Sequence, residues 1–380
     1  MSRYKRASDL TLAQYHESLP KFHWLGKEGS VGPIVTENYE PIPEHLGNYL
    51  GRVLNWSDRS YVALVQLVTE DGKEDLVAAK IMQSSSNKEK LTNELKILQN
   101  LRHKHIAAVL GNFSTDGGKD ETHYGLLVFP LVAKDLQDLL EAISKHNESH
   151  EKEGAPWPLH QHTHKLLPYF ACLCETVLFL HNQDRPIKHR DIKPANILID
   201  RFDNVILADF DISKAYDDVK NAITYGSLDG TIMYSSKDVW KTSKQSDPEG
   251  SKRGLEWDVV SLAFVFLEMA TVLFGETLHN MRKPMKRLYE GCEKPTVRYS
   301  EEDLEIEKWL GVLEKTAKDT PWKLPEQFTR SIHAEPCYVE NFLGAIRDMM
   351  SAKRNNHDSL KQAWGVFGRL SGHCPSPQFR

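Results

Sequence analysis

The chain has 380 residues, 40% of them apolar and 27% charged, with a net charge of −5. This is an ordinary globular composition, long enough for two lobes with their own cores. The mild acidity gives no reason to expect nucleic acid or an anionic membrane as partner. The five cysteines (Cys172, Cys174, Cys292, Cys337, Cys374) are scattered without a C-x-x-C pair, which argues against a disulfide framework and against a cysteine zinc site.

Residues 1–45 read as an N-terminal extension rich in Pro, Gly and polar groups, in which Phe22, Trp24 and Tyr39 are the candidates for packing. No continuous apolar segment is found in Met1–Pro20, so no secretory signal is expected. The most apolar run, Val259–Phe274, holds Ser261, Glu268 and Thr271 and reads as a buried helix, too short to span a bilayer comfortably. A soluble chain in the reducing cytoplasm, or in the nucleus, is expected.

From Tyr49 the pattern turns strand-like. Tyr49–Leu54, Tyr61–Val68 and Asp75–Met82 are three β-rich runs separated by turns, which predicts an antiparallel meander. Asn87–Leu101 carries apolar residues at Leu91, Leu95, Leu98 and Leu101, the period of a helix lying against a sheet. Glu94 in this helix has two candidate partners, the local Lys90 and the distant Lys80, and the local order is the weaker one. Leu126–Val132 is a strand that meets Pro130, a residue unable to donate within a ladder. Lys134–Ile143 begins a helical region, and Ser144–Pro158 reads as an exposed polar loop. The histidines His146, His150, His160, His162 and His164 lack Asp, Glu or Cys at ligand spacing and are read as solvated. Leu166–His181 is an apolar helix.

The stretch that follows is the most informative. His189-Arg190-Asp191-Ile192-Lys193-Pro194-Ala195-Asn196 precedes the strand Ile197–Ile199, a turn at Asp203-Asn204, the strand Val205–Leu207, and then Asp209-Phe210-Asp211. This arrangement resembles the catalytic loop (HRDxKxxN) and metal-binding segment (DFG) of the eukaryotic protein kinases, with Asp211 at the Gly position. Lys193 resembles the serine/threonine version of the loop. Val77-Ala78-Ala79-Lys80 is similar to the family's VAIK strand, and Gly230-Thr231 with Tyr234 to its GTxxY segment.

The resemblance implies a two-lobed α+β fold, with a small antiparallel β lobe plus one helix at 46–132, a larger helical lobe at 133–372, and a tail at 373–380. It implies ATP and Mg²⁺, and transfer of a phosphoryl group to a protein Ser or Thr, chemistry in which the protein mainly positions groups and stabilises charge. By resemblance Asp191 orients the hydroxyl and takes its proton, and Lys193 neutralises the moving phosphate. Asn196 and Asp209 hold Mg²⁺, and Lys80 holds the α- and β-phosphates, paired to Glu94. Val62, Ala78 and Leu198 line the adenine, Phe129 backs its pocket, and the Leu131–Val132 backbone bonds its edge. His189 and Phe210 are packed members. Thr231 bonds Asp191 and Lys193, while Thr224, Tyr225 and Ser227 are candidate phosphate acceptors. Asp258, ahead of the long apolar helix, braces the catalytic loop. Beyond it Trp309, Trp322, Phe342, Met349, Leu360 and Trp364 are expected in the core.

The sequence departs from the family at three places. Asn55, Ser57 and Ser60 stand where the phosphate loop has glycines, which costs the close backbone approach that Gly permits. Asp211 adds a third carboxylate. Ser236-Lys237-Asp238 replaces the APE segment, with Arg354 a candidate partner for Asp238. These departures motivate a second reading, a pseudokinase acting as a nucleotide-dependent scaffold, and a small-molecule kinase is a third. Oligomeric state and substrate identity are not written in the sequence.

Overall fold

The structure is a computed structural model. It describes residues 47–56, 60–68, 74–82, 88–118, 121–132, 134–150, 159–200, 202–216, 232–235, 254–289, 292–321, 324–334, 337–351 and 356–371. The chain divides into two compact units. Of the described residues, one contains those up to Lys134 together with Leu198–Ser213, and the other Asp135–Ile197 and those from Lys214 to Ser371.

The first unit is built on a five-stranded antiparallel sheet. Its strands are β1 (Gly47–Trp56), β2 (Ser60–Val68), β3 (Glu74–Met82), β4 (Ala108–Gly118) and β5 (Glu121–Phe129), in the order β1-β2-β3-β5-β4. The meander of the first three is as expected, but β4 was not singled out in the sequence. In β3, Ala79 and Ile81 are fully buried. The alternate residues Ala78 and Lys80 share the other face, because successive side chains of a strand point to opposite sides. Lys80 lies opposite Val62 on β2 and Leu126 on β5, while Ala78 lies opposite Leu64 and Val128. Gly125 on β5 is needed for close packing: a Cβ there would stand 2.3 Å from Cζ of Phe113, its buried cross-strand partner.

Helix α1 (Lys88–Leu98) buries Leu91, Leu95 and Leu98, the periodic apolar residues read from the sequence, and Leu101 is buried just beyond its end. The short strands β6 (Ile197–Ile199) and β7 (Val205–Leu207) pair around a turn in which Asp203 takes a left-handed φ of 63°. The Asp200 carboxylate organises that turn, accepting from the Phe202 and Asn204 amides at 2.8 and 2.9 Å. Strand β7 is tied to the segment before β4. Leu207 donates to the His105 carbonyl at 2.8 Å, Ala107 donates to Leu207 at 3.0 Å, and the buried His105 ring bonds the Val205 carbonyl at 2.8 Å.

The second unit is mostly helical: α2 (Leu136–His150), α3 (Leu166–His181), α4 (Glu256–Leu273), α5 (Leu278–Arg282), α6 (Asp303–Asp319), α7 (Glu326–Ala334), α8 (Tyr338–Met350) and α9 (Asn356–Ser371). An aromatic cluster fills its centre, with Phe170 of α3 4.9–5.1 Å from the rings of Phe266, Phe342 and Phe367. Such tilted pairs add about 0.5–1.5 kcal/mol each beyond area burial. Cys172 and Cys174 are buried free thiols, and burial pushes Cys174 well up, so it is an unreactive core group.

Two expectations need correction. Ser144–His150 belongs to α2 rather than to an exposed loop, because Ser144 and Asn147 face buried partners. Asn147 donates to the Val272 and Glu276 carbonyls at 3.1 and 2.9 Å, and Ser144 accepts from the Leu278 amide. Trp364 is 41% exposed, since the buried face of α9 runs through Leu360, Ala363 and Phe367. Trp309, Phe342, Met349 and Leu360 are buried as expected, while Trp322 lies outside the described residues.

Candidate active site

The polar residues of the first unit converge on Lys80. Its ammonium donates to Glu94 Oε2 at 2.7 Å and to Asp209 Oδ1 at 2.5 Å. The local alternative, Lys90, is not the partner that the fold selects. Glu94 uses its other oxygen to accept the Phe210 amide at 3.2 Å, so one carboxylate holds both the strand lysine and the Asp-Phe-Asp segment. Phe210 is fully buried. Burial opposes the charge on Lys80, but Asp209 and then Glu94 outweigh it and hold the ammonium above the ordinary lysine range. Burial likewise pushes Glu94 up and Lys80 pulls it back. The negative neighbours Asp209 and Asp211 add to the rise, and the net direction for Glu94 is up. Asp209 sits in the left-handed region at φ 67°, a conformation that costs a non-glycine residue about 1–3 kcal/mol unless its surroundings hold it. Asn93 helps to hold it, donating to the Ser213 carbonyl at 2.9 Å and the Asp211 carbonyl at 3.4 Å. No sequence signal marked Asn93.

The other candidate residues of this unit lie along the sheet and just beyond its strands. Val62 and Ala78 lie on the face of Lys80. Asn55 is paired opposite Val62 and Ser60 begins β2, so both flank the β1–β2 connection, while Ser57 lies outside the described residues. Phe129 ends β5, with Leu131 and Val132 immediately after it, and Leu198 is in β6.

The second unit carries the other group. Lys193 donates to Asp191 Oδ2 at 2.7 Å, and the Asn196 amide donates to the same oxygen at 3.0 Å and to the Asp191 carbonyl at 2.8 Å. Asp191, Lys193 and Asn196 are therefore brought together as predicted, on a loop closed by the 3₁₀ turn Pro194–Asn196. Beneath the loop is the buried Asp258 in the first turn of α4. It accepts from the His189 amide at 2.7 Å, the Arg190 amide at 2.9 Å and His181 Nε2 at 3.1 Å. Burial alone would raise Asp258, but the His181 hydrogen bond and the neighbouring His189 and Lys188 outweigh it and hold the carboxyl below its usual range. Arg190, bonded in this way, has φ 75°. The tether imposes the loop's shape from α4.

Further along, Tyr234 donates to Glu268 Oε2 at 3.0 Å. The other oxygen of Glu268 is bound by Arg282 at 2.6 Å and by the Tyr299 hydroxyl. Sequence reading found neither Glu268 nor Arg282 as a pair. Thr224, Tyr225, Ser227, Thr231, Asp238 and Arg354 lie outside the described residues.

In the first unit Asp209 carries carboxylate oxygens, hard donors of the kind Mg²⁺ takes, and Lys80 carries a cation of the kind that suits a phosphate. The protein kinase domain family matches residues 61–337, more than half of the chain, and the chain belongs to that family. It is similar to a leucine-rich repeat receptor-like serine/threonine/tyrosine-protein kinase of Arabidopsis thaliana, 25% identical over 64% of this chain and 33% of the relative. It is also similar to a nodulation receptor kinase of Pisum sativum, 23% identical over 92% of this chain and 35% of the relative. A serine/threonine-protein kinase of Saccharomyces cerevisiae is 27% identical over 66% of this chain and 27% of its own length. The chain spans about a third of the length of these curated relatives. Among the described residues no helix is long and apolar enough to cross a membrane.

Proposed function

We propose that this chain is an active protein serine/threonine kinase that transfers the γ-phosphoryl group of ATP to a protein hydroxyl. The observation that carries the proposal is the contact of Lys80 with both Glu94 and Asp209, at 2.7 and 2.5 Å. A chain that had lost nucleotide chemistry would have little use for a partly buried cation held against two carboxylates, one of them in a strained backbone conformation. On this reading Lys80 binds phosphate oxygens, Asp191 orients the hydroxyl and accepts its proton, and Lys193, bonded to Asp191, offsets charge on the moving group. Asn196 and Asp209 would hold Mg²⁺, which neutralises phosphate charge when bound. Val62, Ala78, Phe129, Leu131, Val132 and Leu198 are assigned to the adenine. The free thiols Cys172, Cys174, Cys292 and Cys337 suit a reducing, ATP-containing compartment such as the cytoplasm.

A silent nucleotide-binding module is the second reading, favoured by Asp211. Its charge joins Asp209 and Glu94 around a single ammonium, which makes that carboxylate cluster more negative than a glycine would. Transfer of labelled γ-phosphate, to the chain itself and to a generic basic protein, separates the readings when run beside Asp191→Asn. Label on the parent alone supports the kinase. No label on either, with ATP still raising the melting temperature, supports the silent module.

A further inference from the structure

We propose that Lys188 is a positioning residue for phosphoryl transfer: its buried charge keeps Asp258 in the form that shapes the loop carrying Asp191. This role presupposes the kinase activity proposed above, and no motif of the loop assigns it.

Lys188 stands directly before His189 and is fully buried. A lysine is almost never buried to that extent unless its charge has partners, because leaving water costs an ammonium far more than an apolar side chain. The strand itself asks for no cation. Ile187–Lys188 pairs antiparallel with Lys214–Ala215, and Lys188 lies opposite Lys214. Like charges opposite each other weaken a strand pair. Lys214 is exposed, with its ammonium 5.3 Å from the centre of the Tyr216 ring, so Lys188 is the member of the pair that the fold takes inside.

There the Lys188 ammonium lies 4.3 Å from the centre of the Trp257 ring, a cation–π contact of the kind that strengthens when water is excluded. Trp257 immediately precedes Asp258 in the first turn of α4. The groups facing Asp258 are His181 from α3, His189 and the Arg190 amide from the loop, and Lys188 from the short strand. Burial pushes the Asp258 carboxyl up, and the His181 hydrogen bond together with the charges of His181, His189 and Lys188 outweighs it. Imidazoles lose their charge near neutral pH, whereas an ammonium with an aromatic face and a carboxylate nearby keeps its own.

The ionised Asp258 accepts the His189 and Arg190 amides at 2.7 and 2.9 Å, and His189 Nδ1 accepts the Asp191 amide at 3.3 Å. Protonation of Asp258 would replace one of its acceptors by a donor. Lys188 therefore reaches the reaction through Asp258 and the loop, without touching substrate.

The test compares the full chain with Lys188→Met and Lys188→Arg. In transfer of phosphate from ATP to a basic protein, Lys188→Met should lower kcat about tenfold, leave KM for ATP within about twofold, and move the acid limb of the kcat profile to higher pH. Lys188→Arg keeps a charge able to stack on Trp257 and should recover most of kcat. A merely structural lysine would change the amount of active protein but not the acid limb. Urea unfolding reads the same coupling without activity. The folded Asp258 carboxyl lies below its unfolded value and losing Lys188 raises it, so the stability of the parent relative to Lys188→Met should rise between about pH 3 and about pH 6. In an Asp258→Asn background that rise should vanish. Lys188→Gln, uncharged but polar, repeats both arms if the methionine variant does not fold. An unshifted acid limb, or an equal rise in the Asp258→Asn background, would overturn the proposal. A parent that transfers nothing while the urea coupling persists would sink the kinase reading and leave Lys188 a structural role alone.

Discussion

Replacing Asp258 tests whether a buried carboxylate imposes the shape of the loop that carries Asp191. Both of its oxygens are in use, Oδ1 on the Arg190 amide and Oδ2 on the His189 amide and His181. Asp258→Asn keeps one acceptor and turns an NH2 toward a donor, so one buried amide loses its partner. With about 1–3 kcal/mol for each unsatisfied buried group, the expected loss is about 2 kcal/mol for Asp258→Asn and about 4 kcal/mol for Asp258→Ala, which strands both amides. The left-handed Arg190 then has nothing to offset its strain, and transfer activity should fall with stability.

Urea unfolding followed by circular dichroism at a series of pH values reads the effect. The folded carboxyl of Asp258 lies below its unfolded value, so its contribution is present above the unfolded value, about pH 4, and disappears as pH falls through the folded value. The gap between parent and Asp258→Asn should therefore be full at pH 7 and shrink on acidification below about pH 4. Equal stability at pH 7, or a gap that widens in acid, would refute the reasoning.

Three further outcomes follow from the same geometry. Lys80→Met leaves Glu94 buried beside Asp209 with no cation, which raises the folded Glu94 carboxyl further above the ordinary glutamate range. The variant should abolish ATP-dependent transfer, and its stability deficit in urea should grow as pH rises above about 4.3, where the unfolded carboxylate ionises first. Asn93→Ala removes two hydrogen bonds to the Asp211 and Ser213 carbonyls, and should cost about 1–2 kcal/mol while speeding hydrogen exchange at Phe210–Ser213. Unchanged exchange there would rule out the tethering role. Arg282→Ala leaves the buried Glu268 with only tyrosine hydroxyls and should cost about 3 kcal/mol in urea unfolding, with Arg282→Lys recovering part of it.

The family was legible because its chemistry is written locally. His189–Asn196 and Asp209–Asp211 lie within one short stretch, and the bonds among Asp191, Lys193 and Asn196 span at most five residues. Strand and helix periods carried the first three strands and α1. The boundary at Ser144 failed because polarity was read as exposure, whereas Ser144 and Asn147 are polar so that they can satisfy the backbone around the end of α4. Trp364 failed because its spacing from Leu360 suits a helix face, yet the buried stripe runs through Leu360, Ala363 and Phe367 and leaves Trp364 beside it.

The sequence by itself determined the residue types of phosphoryl transfer, their order and the alternation that builds the sheet, since these depend on neighbours along the chain. Tertiary structure decided which partner each charge takes. Glu94 meets Lys80 and not Lys90, and Asp258 crosses to the His189 and Arg190 amides. Such pairings arise between residues from fourteen to about seventy positions apart, where burial sets the strength of a charge interaction and only the folded chain sets the distance.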